Sequence, residues 1–339
     1  MSTAVATELA ALRTDGVSLE LGQLLAYQRM TYLLDLAPKQ QIQSKLAGSY
    51  LARSKGRGME FDEVRHYQIG DDVRTIDWRV TARTGKVHTK LFREEKERPV
   101  FVLADLSQPM QFGSVLLTKA VQTAHLAALL GWHARERGDK FGGIVFNSQQ
   151  IRELKPASRN ASVLRYLQQM IELNRQATAN SAAPLPNSSG TSTAASLSLA
   201  CGQLRRLVRP GSLVYLISDF STLDQVVLRH LQSMRQHNEI RLCHLLDPLD
   251  LQLPAQASGQ LLLTDGQQQL PLTLGSRQLA EQYQQQQQQI LANQTQLIRK
   301  LGLPVMQLSC AQSLRSQLSG TVGNPFQRLS SFEVSHGSI

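Results

Sequence analysis

Val100-Phe101-Val102-Leu103-Ala104-Asp105-Leu106-Ser107-Gln108-Pro109 is the stretch that decides how this chain folds. Five consecutive apolar residues ending in a carboxylate read as a strand buried on both faces, the kind found inside a parallel sheet, with Asp105 at its C-terminal end. Such a strand needs helices above and below it, and the sequence downstream supplies the alternation. A helix is expected over 114–137, with Leu116, Ala120, Ala124, Ala127 and Leu130 on one face and Gly138 as its stop. Residues 141–146 resume the sheet, 151–154 read as a hairpin partner and 163–173 as a helix. Beyond a polar loop at 175–190, helices over 193–208 and 222–236 alternate with strands over 212–217 and 240–246. Repeated units of this length predict an α/β fold built on a doubly wound, mostly parallel sheet.

Further along, two apolar runs at 261–264 and 269–273 flank Asp265-Gly266 and predict a β-hairpin inserted on the frame. Leu279, Tyr283, Ile290, Leu297, Ile298 and Leu301 keep helical spacing through the glutamine run 284–289, so one long surface helix is expected, then a last strand at 304–308. Upstream of the deciding stretch the periodicity changes. Glycines and paired acids punctuate short alternating runs such as Val87-His88-Thr89-Lys90-Leu91-Phe92, the pattern of a small β-rich module. Leu21, Leu24, Leu25, Tyr27, Met30, Leu33 and Leu34 mark N-terminal helices closed by Pro38. The domain reading is therefore an N-terminal helical segment (1–47), a β-rich module (48–98), the α/β domain (99–310) and a loose tail (311–339).

A chain of 339 residues with 42% hydrophobic composition has ample material for a core. No stretch reaches the ~18 uninterrupted apolar residues a membrane-crossing helix needs, and residues 2–15 lack the apolar region of a secretory signal, so the expected compartment is the cytoplasm. Cys201, Cys243 and Cys310 are odd in number and set among apolar neighbours, which suits reduced core thiols. The net charge of +10 invites a nucleic-acid reading, but the cluster Arg53, Lys55, Arg57 is followed at once by Glu60, Asp62 and Glu63, and a solvated mixed-sign surface is the simpler account. The histidines show no metal-ligand spacing such as H-E-x-x-H.

In open parallel sheets, ligands bind beyond the carboxyl ends of the strands, where Asp105 and Asp219 are expected. Asp105-Leu106-Ser107-Gln108-Pro109 resembles the D-x-S-x-S loop of von Willebrand factor A domains, in which carboxylate and hydroxyl oxygens cradle Mg2+. By that resemblance Asp105, Ser107, Thr191 and Asp219 form a degenerate, weak Mg2+ site, with Pro109 standing where a second serine would donate an oxygen. The alternative is that Asp105 with Ser107, and Asp219 with Ser221, only cap the helices that follow.

A second resemblance lies upstream. Gly56-Arg57-Gly58-Met59-Glu60-Phe61, Val64-Arg65, Tyr67, Gly70-Asp71-Asp72, Arg74, Ile76-Asp77-Trp78, Thr81-Ala82-Arg83 and Lys90 together resemble the signature of the bacterial family called domain of unknown function 58. Ser218-Asp219-Phe220, Asp247-Pro248 and Leu253-Pro254 fit its later part. The resemblance implies a von Willebrand A-like domain and partnership with a MoxR-type AAA+ ATPase and its client proteins. It implies an adaptor without catalytic residues of its own, serving the assembly or maturation of complexes. Arg65, Asp72, Arg74, Asp77, Trp78 and Arg83 read as an ion-pair network anchored by an aromatic, either locking the module in place or forming a docking surface. Two rival functions are a metal-dependent hydrolase using Asp105 and Asp219, for which the sequence offers no adjacent general base, and a nucleic-acid binder resting on charge alone.

Overall fold

The computed structural model describes residues 3–34, 59–94, 98–181, 193–251, 253, 259–264, 269–274, 277–319 and 327–328. In chain order the elements are α1 (Thr3–Leu12), α2 (Leu21–Ala26), β1 (Met59–His66), α3 (Trp78–Thr84), β2 (His88–Glu94), β3 (Pro99–Asp105), α4 (Lys119–Glu136), β4 (Lys140–Phe146), β5 (Ile151–Ala157) and α5 (Asn160–Ser181). There follow α6 (Thr193–Leu207), β6 (Leu213–Ser218), α7 (Gln225–Arg235), β7 (Glu239–Leu246), β8 (Gly259–Thr264), β9 (Gln269–Leu274), α8 (Arg277–Leu301), β10 (Pro304–Ser309), α9 (Leu314–Ser319) and β11 (Gln327–Arg328). They form two compact units, one of Met1–Leu36 with Arg98–Ile339 and the other of Ala37–Glu97.

In the larger unit the sheet runs β11-β10-β7-β6-β3-β4-β5. The pairs from β10 to β4 are parallel, while β5 and the short β11 are antiparallel edges. Counting β3, β4, β5, β6, β7 and β10 as strands one to six gives the order 3-2-1-4-5-6, so the order reverses between β3 and β6. This is the doubly wound, mostly parallel α/β architecture expected from the sequence. Each central strand feeds two cores by simple alternation. Val100, Val102 and Ala104 join the core with α4 and α5, whereas Phe101 and Leu103 join the core with α6 and α7. Leu213, Tyr215 and Ile217 divide from Val214 and Leu216 in the same way.

Helix α4 is buried from Lys119 to Trp132 and again at Ala134, not only on the face that meets the sheet. Its outer side is covered by the N-terminal segment: Leu9, Leu24, Tyr27 and Leu34 belong to its core, and Trp132 Nε1 donates to the Leu24 carbonyl at 3.3 Å. The described part of the expected 1–47 segment is thus an integral layer of the α/β unit, because a helix apolar all round must be enclosed. The expected tail is also shorter than 311–339, since α9 buries Leu314 and Leu318, and β11 pairs with the start of β10. Helix α5 extends to Ser181, into the stretch expected as loop. The hairpin β8-β9 and the long helix α8 form as the spacing predicts, and Cys201, Cys243 and Cys310 are buried free thiols. Among the described residues no helix is long and apolar enough to cross a membrane.

The smaller unit is an antiparallel β1-β2 hairpin with a bulge between Phe61 and Glu63, carrying α3. Asp77 caps α3 by accepting from the Arg79 and Val80 backbone N–H groups, and Gly85 closes it at φ 69°, the left-handed C-terminal stop that a side chain resists.

Candidate functional site

Parallel pairing of β3 with β6 sets Ala104 opposite Ile217, so Asp105 and Ser218-Asp219 leave the sheet side by side where the strand order reverses. Asp105 is 2% exposed and fully engaged. Its Oδ1 accepts the Ser107 backbone N–H at 2.9 Å, its Oδ2 accepts the Ser218 hydroxyl at 2.7 Å, and the Ser107 side chain also bonds to it. Burial first, then the facing Asp219 carboxylate, push its pKa up to about 6 against these hydrogen bonds. Asp219 Oδ1 accepts the Ser221 backbone N–H at 3.0 Å and its hydroxyl at 2.8 Å. Between the two, Phe220 is buried at φ 54°, a left-handed strain for a bulky residue that is fixed by its N–H donating to Ser218 Oγ at 3.1 Å.

Neither aspartate caps a helix. Helix α4 starts later than residue 114 and is capped by Thr118, whose Oγ1 accepts from Val121 N–H, while α7 is capped by Asp224. The helix-capping alternative therefore fails for α4 and α7, and the two carboxylates instead close the turns that follow β3 and β6.

The sequence reading missed the cation. Lys119, first residue of α4, is 5% exposed at its side chain, and its Nζ lies 3.3 Å from Asp219 Oδ2 and 2.7 Å from Asp250 Oδ2. Asp250 belongs to a short turn after β7 in which Asp247 and Asp250 form a reciprocal capping box. Asp247 in turn accepts Ser114 N–H at 2.8 Å and the Ser114 hydroxyl at 2.5 Å, pinning the loop after β3 to the end of β7. Three strand ends are thereby tied into one network. His244 on β7 is buried beside Asp219 and Phe220; burial drives its pKa down to about 4, partly offset by Asp219. The signal for this set was Asp247-Pro248, which the sequence reading noted as a motif without its chemistry.

Of the expected Mg2+ ligands, the fold brings Asp105, Ser107 and Asp219 together, and Thr191 lies outside the described residues. The described donors do not fit a hard divalent ion well. Pro109 has no side-chain oxygen, every carboxylate oxygen of Asp105 and Asp219 already receives a donor, and one of those donors is an ammonium.

In the smaller unit, the expected network resolves into local pairs. Arg65 pairs with Asp71 at 2.7 Å, not with Asp72, because the turn at Gly70 folds Asp71 back toward β1, where it also accepts from Gln68 N–H. Asp72 caps the following turn by accepting from Arg74 N–H, and Asp77 adds Lys90 at 3.5 Å to its capping role. The Gln68 and Val80 N–H groups are the main cause of the lowered pKa of Asp71 and Asp77 respectively. Trp78 is 69% exposed, and among the described residues the guanidinium groups of Arg74 and Arg83 make no ion pair.

The chain is similar to an uncharacterised protein of Mycobacterium bovis and to one of Mycobacterium tuberculosis, each 28% identical over 235 residues and covering 69% of both chains. Among solved structures it overlaps the conserved hypothetical protein BatB of Bacteroides thetaiotaomicron (13% identity, 60% of this chain, 98% of that one, TM-score 0.37). An aerotolerance-related membrane protein of Bacteroides fragilis overlaps similarly (15% identity, the same shares, TM-score 0.34). The family model described as protein of unknown function DUF58 matches residues 63–292, from the middle of β1 into α8, and on that match the chain belongs to the DUF58 family.

Proposed function

We propose that this chain is a non-enzymatic adaptor that works in the bacterial cytoplasm with a MoxR-type AAA+ ATPase and its client proteins during complex assembly or maturation. The observation that carries this reading is the closed network at the carboxyl edge of the sheet. Asp105, Asp219, Asp247 and Asp250 spend their oxygens on Ser107, Ser218, Ser221, Ser114 and Lys119, so the groups a hydrolase would use as base or metal ligand are instead used to hold three strand ends rigid. A rigid edge whose loops are fixed to one another is suited to presenting a surface, with ATP hydrolysis left to the partner. The partnership itself comes from the family resemblance.

Affinity capture from a native lysate, with the full chain as bait and with nucleotide present or absent, tests the proposal. Retention of an AAA+ ATPase in either state supports it; retention in neither overturns it.

A further inference from the structure

Lys119 breaks a local rule. It opens an 18-residue helix, where the unsatisfied N–H groups carry partial positive charge and favour acids, and it is buried as well. Two carboxylates hold its ammonium there, Asp219 Oδ2 at 3.3 Å and Asp250 Oδ2 at 2.7 Å. Its two partners are themselves fixed: Asp219 by Ser221, and Asp250 by the Asp247 backbone N–H at 2.9 Å. A cation with this coordination is a built feature of the crevice, placed where the end of β6, the turn after β7 and the start of α4 meet.

We propose that Lys119 is the resident cation of this site, its ammonium supplying the positive charge that Mg2+ brings to the carboxyl edge in von Willebrand A domains. The DUF58 crevice in this chain then keeps its carboxylates together without a divalent ion, and any partner docks there independently of one. The missing oxygen at Pro109 and the complete engagement of Asp105 and Asp219 are the same adaptation seen from the ligand side. This inference concerns the charge inside the crevice and holds or fails separately from the identity of the partner.

Calorimetric titration of MgCl2, and separately MnCl2, into the purified full chain and into Lys119→Met provides the test, with melting in EDTA or Mg2+ as a second readout. Wild type is expected to give no saturable heat at millimolar metal and no shift in melting temperature. Lys119→Met, which keeps the aliphatic stem and removes the charge, is expected to melt lower in EDTA and to acquire a millimolar metal site that restores part of the loss. Saturable Mg2+ binding by wild type overturns the proposal, as does a folded Lys119→Met that ignores both metals. If Lys119→Met does not refold, Lys119→Gln, which retains a donor toward Asp219, carries the same two readouts, and the wild-type titration decides on its own.

Discussion

Replacing Asp105 with Asn measures how much the crevice costs the fold. The ionised carboxylate is disfavoured by burial and by Asp219, so its pKa stands at about 6 where an ordinary Asp has 3.8. Two units and a little more correspond to about 3 kcal/mol. The folded state binds the proton more tightly than the unfolded state, so the Asp105 contribution is fully present below the unfolded value and is lost as pH rises through the folded one. Asn carries no such titration. Its Oδ1 can still accept from Ser107 N–H, and its amide can donate to Ser218 Oγ once that hydroxyl turns away, so both contacts survive in shape. Urea unfolding of Asp105→Asn against wild type, in EDTA, should therefore show the difference in stability moving by about 2 kcal/mol in the variant's favour between about pH 4 and about pH 7.5, the rest of the roughly 3 kcal/mol lying below about pH 4. A Trp78→Phe background leaves Trp132, 3% exposed in the α/β unit, as the only tryptophan reporter. A pH-independent difference, or one moving the other way, would refute the reasoning.

The same experiment exposes a second titration of opposite sign. His244 and His125 are held neutral by burial, with pKa values lowered to about 4 and about 3. Below their ordinary value of 6.5 the unfolded chain takes up protons that the folded chain refuses, so their contribution is present at neutral pH and is lost on acidification. As pH falls from about 6 to about 4, wild type gains about 2 kcal/mol through Asp105, which offsets the about 2 kcal/mol lost through His244 but leaves the similar loss through His125 standing. Removing the Asp105 titration leaves the histidine slope uncompensated, and the variant should unfold in acid more steeply than wild type.

How much of this was legible in the sequence depends on where each residue's partners lie. Val100 to Ala104 could be read because a strand buried on both faces has to be apolar without interruption, and the rule for strand ends then put Asp105 and Asp219 in one crevice before any coordinates. Lys119 could not be read in the same way. It is followed by Ala120 and Val121 on an apolar helix, and its partner Asp219 lies 100 residues away, so nothing local marks it as buried or paired. The N-terminal helices show the complementary limit. Their spacing established an apolar face but not what it covers, although α4 offered a clue, having no Asp, Glu, Lys or Arg from Ala120 to Ala134. The choice of Asp71 over Asp72 for Arg65 turns on the backbone at Gly70, φ 107°, which sequence leaves open between two adjacent acids.

Two further substitutions separate the scaffold from its surface. Gly143 sits on β4 at φ 150°, and a Cβ there would lie 1.9 Å from the Val102 carbonyl oxygen of the adjacent strand, so Gly143→Ala should cost roughly 4 kcal/mol or leave no soluble protein; a melting curve like wild type would contradict the packing of β4 on β3. Trp78→Ala should do the reverse. Because the indole is 69% exposed and α3 keeps its Asp77 cap, unfolding should change by no more than about 0.5 kcal/mol. A large aromatic left in water has the character of an interface anchor, and such anchors contribute about 2 kcal/mol or more, so capture of the proposed AAA+ partner should weaken at least tenfold. Undiminished capture by a folded Trp78→Ala would remove this residue from the docking surface, and a loss of stability equal to the loss of capture would show that the indole is packed within the protein and acts on the partner only through the fold.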